Sequence, residues 1–214
     1  MASPEPMRSR TPRSSYPLAT VAGAASIIVC VSLAGAAYAW YPWAFSPMTN
    51  WISDLGNTLL SPIGSILFRL DMVIVGVGLA AFFLGLRALT HGQRIWTKLL
   101  IGLGQIGGLV ASLAVTMTGI YSEDQTGAHA LWASILFISL AVTVMFIGWG
   151  LFFHPRVPSL LGAFAFAVCA ADVVSIVNRS HWLEWVAVPL LLVFVAQLSY
   201  GAWRLAPSRW PSAG

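Results

Sequence analysis

Six unbroken apolar stretches, each long enough to span a bilayer, constrain this chain more than any other feature of it. A helix needs about 20 apolar residues to cross the hydrocarbon core. The stretches lie at about 18–40, 64–89, 96–120, 129–153, 160–177 and 185–205. They are continuously apolar rather than alternating every second residue, which excludes a transmembrane β-barrel. The expected fold is therefore all-α, a polytopic membrane protein built as a bundle of six transmembrane helices.

Composition supports the same reading. Of 214 residues, 58% are hydrophobic and 8% charged, against roughly 25% charged in a soluble domain. A water-soluble core of this size could not hide that much apolar surface. The 19 glycines suit close packing of membrane helices. The net charge of +4 does not imply nucleic acid, because the basic residues fall singly between apolar stretches and no basic stripe with interleaved aromatics exists. Cys30 and Cys169 both lie inside apolar stretches and have neither metal-ligand spacing nor a disulfide framework.

Orientation follows from the positions of Lys and Arg. With the N-terminus inside, Arg8, Arg10, Arg13, Arg87, Arg94, Lys98, Arg156, Arg204 and Arg209 are cytoplasmic, and only Arg69 and Arg179 are outside. Both termini are thus expected in the cytoplasm, and the expected location is the plasma membrane. A cleaved signal peptide competes for the first stretch, with residues 8–13 as its basic region and Ala37-Tyr38-Ala39 as its cleavage site. Its apolar part, about 20 residues, exceeds the usual 7–15. Residues 1–16 and 206–214 are rich in Ser, Pro and Arg, so disordered tails are expected around one domain at 17–205.

Nearly all unusual polar residues fall in the expected outer half. The longest loop, about 41–63, carries Trp43, Asn50, Trp51, Ser53, Asp54 and Asn57. Its Ser46-Pro47 and Ser61-Pro62 steps fit helix starts, with serine as N-cap and proline first in the helix. A short surface helix over 47–55, closed by Gly56 in the left-handed conformation, is expected. Helix 2, from Pro62 to about Leu89, would be about 40 Å long and places Arg69 and Asp71 near the outer interface. Asp172, Ser175 and Arg179 share one face of helix 5, so Arg179 could reach down to Asp172. Ser122 and Gln125 have capping-box spacing before helix 4, and Glu123 and Asp124 suit the positive end of its dipole. His129 opens that helix, where no cap requires histidine. His181 and Glu184 share a face at the start of helix 6. Each group has a purely structural explanation; their common depth points to a polar pocket opening outward. Asp54 and His129 are the pair for general-base chemistry. Ser53, Arg69, Asp71, Asp124, Asp172, Arg179, His181 and Glu184 complete the ligand-binding set, with arginine holding phosphate. His91 and His154 read as solvated, and Gly104 and Gly108 as a packing pair in helix 3.

The motifs of hydrolases, nucleotide sites and zinc proteases are absent, so no cofactor and no metal is expected.

At Ile52-Ser53-Asp54-Leu55-Gly56, followed by Pro62 and Phe68, the chain resembles the FRAG/DRAM/Sfk-type six-helix membrane proteins and their prokaryotic relatives, the "domain of unknown function 998" family. His129-Ala130-Leu131-Trp132-Ala133 is similar to their histidine opening helix 4, and Glu184-Trp185 to a pair opening their last helix. The spacing after Gly56 is longer than in the DRAM-like pattern, and Pro62-Ile63 replaces a Pro-Glu step. The resemblance implies a six-helix bundle, with Ser53, Asp54, His129 and Glu184 as site residues. It also implies a link to the remodelling or handling of lipid anchors, known for the eukaryotic branch only. Three functions are compatible with the residues: a site for lipid headgroups or lipid anchors, catalytic or not; a non-enzymatic scaffold binding other membrane proteins; and a small-solute or proton-coupled transporter using Asp71 and Asp172. Membrane lipids are the expected partners.

Overall fold

The structure, a computed structural model, describes residues 17–205; the two tails expected at 1–16 and 206–214 lie outside the described residues. The six helices are α1 (Leu18–Ala39), α2 (Pro62–Gly85), α3 (Ile95–Ile120), α4 (Thr126–Phe152), α5 (Ser159–Asn178) and α6 (His181–Leu205). Two short 3-10 turns, Ile52–Gly56 and Leu86–Thr90, accompany them. All six helices are long and apolar enough to cross a membrane, and the chain is an integral, multi-pass membrane protein. Helix starts follow backbone chemistry: Pro62 occupies the first turn of α2, and Pro17 and Pro158 immediately precede α1 and α5. A proline there gives up an N–H that the helix could not have used. Gly92, with φ of 71°, supplies the left-handed residue that turns the chain towards α3.

Each helix packs on the next, and α6 closes on α1, so the helices form a ring in chain order. Apolar side chains such as Ile28, Ile66, Val77, Ile106 and Leu131 stand exposed around it. Facing hydrocarbon, these residues need no protein cover. The two ends of the ring differ. At the basic end, where α1 starts and α6 finishes, Ala19, Phe82, Leu86, Ile101, Ile147, Val168 and Leu198 fuse into one dense core. The other end, here the loop end, has only a small cluster of Ala37, Leu55 and Phe68 under residues 41–52.

Glycine lets the helices close up. A Cβ on Gly108 would meet the Phe83 ring, and one on Gly104 would meet Ile147, so this pair in α3 accommodates side chains of both α2 and α4. Gly85 lies so close to the backbone of Ala19 that no side chain fits between α2 and α1.

Several local expectations are corrected. The surface helix expected over 47–55 shortens to a turn at Ser46–Asn50 and the 3-10 turn Ile52–Gly56. Gly56 is not left-handed; the 3-10 turn instead ends at Asn57 with φ of −77°. The Ser46 hydroxyl accepts the Met48 N–H at 3.2 Å, as a turn cap should, but the Ser61 hydroxyl makes no such cap for α2. Ser122 and Gln125 form no capping box, and α4 begins with no side-chain cap. At the basic end His91 is exposed, whereas His154 is only 3% exposed. Its Nε2 donates to Leu89 O at 3.2 Å and its Nδ1 accepts from the Arg156 N–H, which ties the 153–158 connection to the turn after α2.

Candidate functional site

The segment 41–61 spreads over the loop end and is fastened on two sides. On the α6 side, Glu184 Oε2 accepts the Ile52 N–H at 2.7 Å, Trp185 Nε1 donates to Asn50 O at 3.0 Å, and the Trp51 and His181 rings lie 4.5 Å apart. On the side leading into α4, Asn57 Nδ2 donates to Glu123, and Asp124 accepts both the backbone N–H and the hydroxyl of Thr58 at 3.0 and 3.1 Å. Asp54 holds the segment together internally by accepting from Asn50 Nδ2 and the Trp51 N–H. These bonds fix a loop that has little regular structure of its own, because its donors would otherwise stay unpaired.

Beneath this lid lies a cavity of about 1100 Å³, open in part to the surface past Val31, Tyr38 and Ile138, just above the roughly 300–1,000 Å³ of small-molecule pockets. Residues of all six helices line it. Its floor is formed by Phe82, Phe83, Val144, Phe194 and Val195, the edge of the dense core. Its charged groups and His129 lie near the lid, with Ser53 and Ser175: Glu123, Arg179 and Glu184; the hydroxyls of Ser26, Thr118, Ser134 and Thr143 also line the wall. His129 and Glu184 are each 8% exposed.

Charge at this end is set by contacts. The Thr58 N–H, with hydroxyls of Ser122 and Thr58, holds the Asp124 carboxyl below the usual carboxylate range. Burial, then the charges of Asp54 and Glu123, pushes the Tyr41 phenol up.

The residues singled out from sequence separate into three groups. Ser53, His129, Arg179 and Glu184 line the cavity. Asp54, Asp124 and His181 fasten the lid, as described above. Arg69, Asp71 and Asp172 are not among the lining residues. Arg69 donates through Nε and Nη2 to the carbonyls of Gly119 and Ile120, at 3.0 and 2.9 Å, and so caps the C-terminus of α3. The expected link from Arg179 to Asp172 is absent. Arg179 ends α5 in the left-handed conformation (φ 46°, ψ 47°) and is exposed, and neither oxygen of Asp172 has a hydrogen-bond partner. Both oxygens of Asp71 also lack one. Nor do Asp54 and His129 bond to each other, since His129 Nδ1 pairs with Tyr121 O at 2.9 Å.

Sequence reasoning did not single out Asn57, Thr58 or the indole N–H of Trp185 as lid fasteners. Their partners lie 66 and 135 residues away in the chain, and no spacing rule reaches that far. Among the described residues no three or more His, Cys, Asp or Glu gather to hold a metal ion.

The sequence profile of a family described as "protein of unknown function (DUF998)" matches residues 21–210. No curated protein and no solved structure matches the chain.

Proposed function

The chain belongs to the DUF998 family, and since that membership specifies no activity, we propose from the cavity itself that the protein binds a membrane lipid or lipid anchor. The acyl or isoprenoid chain would occupy the apolar depth, and the headgroup the polar rim. The loop end would face the outside of the plasma membrane, in keeping with the placement of Lys and Arg. Kinship with the lipid-anchor-handling FRAG/DRAM/Sfk-type proteins is part of the same reading.

The observation that carries it is the closed ring: a cavity of about 1100 Å³ with aliphatic and aromatic depths and a polar rim beneath a fastened lid. A solvent-filled space with such walls would be unfavourable, because apolar surface gains by losing water. Lipid chains are the apolar molecules a bilayer supplies. Catalysis is not required. The His/Asp base pair expected from sequence is not assembled, which favours binding over turnover.

The test is purification in mild detergent followed by native mass spectrometry. The wild type should retain lipid, and Ala133→Trp, which fills the cavity from α4, should lose it while unfolding at the same temperature. Equal lipid retention by the two proteins would overturn the reading.

Proton-coupled transport is a second reading, favoured by one observation: Asp71 and Asp172 are fully buried and have no partner. Solute uptake into liposomes that depends on a pH gradient and is lost in Asp71→Asn would support it.

A further inference from the structure

Which headgroup suits the rim can be read from its hydrogen bonds. In His129 the carbonyl of Tyr121 can only accept, so Nδ1 carries a proton, and Nε2 has no protein partner. Glu184 and Glu123 each engage one carboxylate oxygen, Oε2, with the lid, leaving Oε1 of both without a donor. Of the hydroxyls farther along the wall, Ser26 has no partner and three others are committed. Thr118, Ser134 and Thr143 donate to carbonyls of their own helices, those of Val115, Ala130 and Ser139, and so keep only lone pairs for a ligand. Pro189, inside α6, has no N–H to offer the Trp185 carbonyl. Arg179 is the one Lys or Arg among the described lining residues, and it stands exposed at the end of α5.

The rim therefore sets two carboxyl groups, each with a free oxygen, against one exposed guanidinium. From this we infer that the cavity selects lipids whose headgroup donates hydrogen bonds, either hydroxylated or ammonium, and disfavours anionic phosphate heads. A hydroxyl or ammonium donates to the free oxygens of Glu123 and Glu184. A phosphate brings negative charge beside two carboxyl groups, a like-charge juxtaposition that selects against it. This inference rests on the lipid reading above.

The experiment compares three probes with the same chain length against the full-length protein in detergent: monopalmitoylglycerol, hexadecylamine and palmitoyl lysophosphatidate. Affinities come from native mass spectrometry, with the thermal shift as a second readout. The glycerol and amine lipids should each bind at least about tenfold more tightly than the phosphate, about 1.4 kcal/mol. In Glu184→Gln, which can still accept the Ile52 N–H, the amine should lose most of that advantage and the glycerol lipid little. Phosphate binding equal to or tighter than the other two would overturn the headgroup rule and leave lipid binding standing. Failure of all three probes to bind would overturn both.

Discussion

Asp54, Glu123, Asp124 and Glu184, at the loop end, each accept at least one N–H or hydroxyl proton, whereas Asp71 and Asp172, inside α2 and α5, are fully buried and accept none. The residue type is much the same, and what differs is the supply of donors. The loop end contains irregular backbone, and Trp51, Ile52 and Thr58 have N–H groups that serve no helix. In the middle of a helix every N–H is already given to the carbonyl four residues back, so a carboxyl pointing into the ring finds no donors nearby. Position relative to unpaired backbone, more than depth in the protein, decides whether an acid is fastened or stranded.

The largest effect expected from that difference is at Glu184. Glu184→Ala removes the acceptor from the Ile52 N–H and leaves that donor unpaired in a partly buried place, at a cost of about 1.5–3 kcal/mol. Glu184→Gln, which can still accept, should lose clearly less. Chemical unfolding in detergent measures both. If the two variants were equally unstable, the charge rather than the hydrogen bond would be what holds the lid.

At the two stranded acids the sign should reverse. Asp71→Val and Asp172→Val each replace an unsatisfied buried carboxyl by an apolar group, and each should raise stability by about 1–3 kcal/mol. A loss at either position would show that the wild-type carboxyl has a partner, a water or a proton path, and the contrast between the two sets would collapse there. A gain accompanied by loss of function is the pattern expected of a residue kept for activity at the expense of stability.

Much of the fold was legible because it follows from local rules. The six spans are found within a few residues of their expected positions, since apolar length alone determines them. Pro62 marked the start of α2, since a proline in the first turn gives up an N–H that the helix could not use. Of the site, the residue types and their shared end were readable, but not the pairings. Arg179 shares a face with Asp172 on an ideal helix, yet the chain must reverse into α6 within two residues, and the left-handed turn at Arg179 leaves the side chain exposed. Arg69 lies two residues from Asp71, but the carbonyls that end α3 claim its guanidinium. Gly56 looked like a helix cap because it follows a polar stretch; the segment is instead pinned by bonds to α6 and to the loop before α4, which no window of local sequence contains.

A smaller effect should appear at the basic end, where His154 is buried with both ring nitrogens paired. Burial is the main cause holding its pKa below that of an ordinary imidazole; the nearby Arg156 charge adds to this, and the bond to Leu89 O opposes it. The folded pKa is lower than the unfolded one, so the neutral ring's contribution to stability is complete above about pH 6.5 and is lost as pH falls through the lowered value. Melting temperature followed from pH 8 downward should fall through that window, and His154→Ala should remove the slope. An unchanged slope would assign it to other groups.

The smallest expected effect concerns Asp124, which resembles Glu184 in being fastened but lies where solvent reaches it. The Thr58 N–H bond depresses its pKa, so the carboxylate form supports the folded lid. Its contribution is present above the unfolded carboxyl value of about 3.9 and disappears as pH falls through the lower folded value. Because screening weakens exposed charge interactions, the effect belongs in the local opening of the lid rather than in the global melt. Hydrogen exchange at the Thr58 amide should therefore quicken, relative to the Ile52 amide held by Glu184, as pH is lowered below about 4, after correction for the intrinsic pH dependence of exchange. Asp124→Asn should show the faster exchange already at neutral pH. If both amides opened together at every pH, the two fastenings would be a single cooperative clasp, and the lid would swing as one body between α4 and α6.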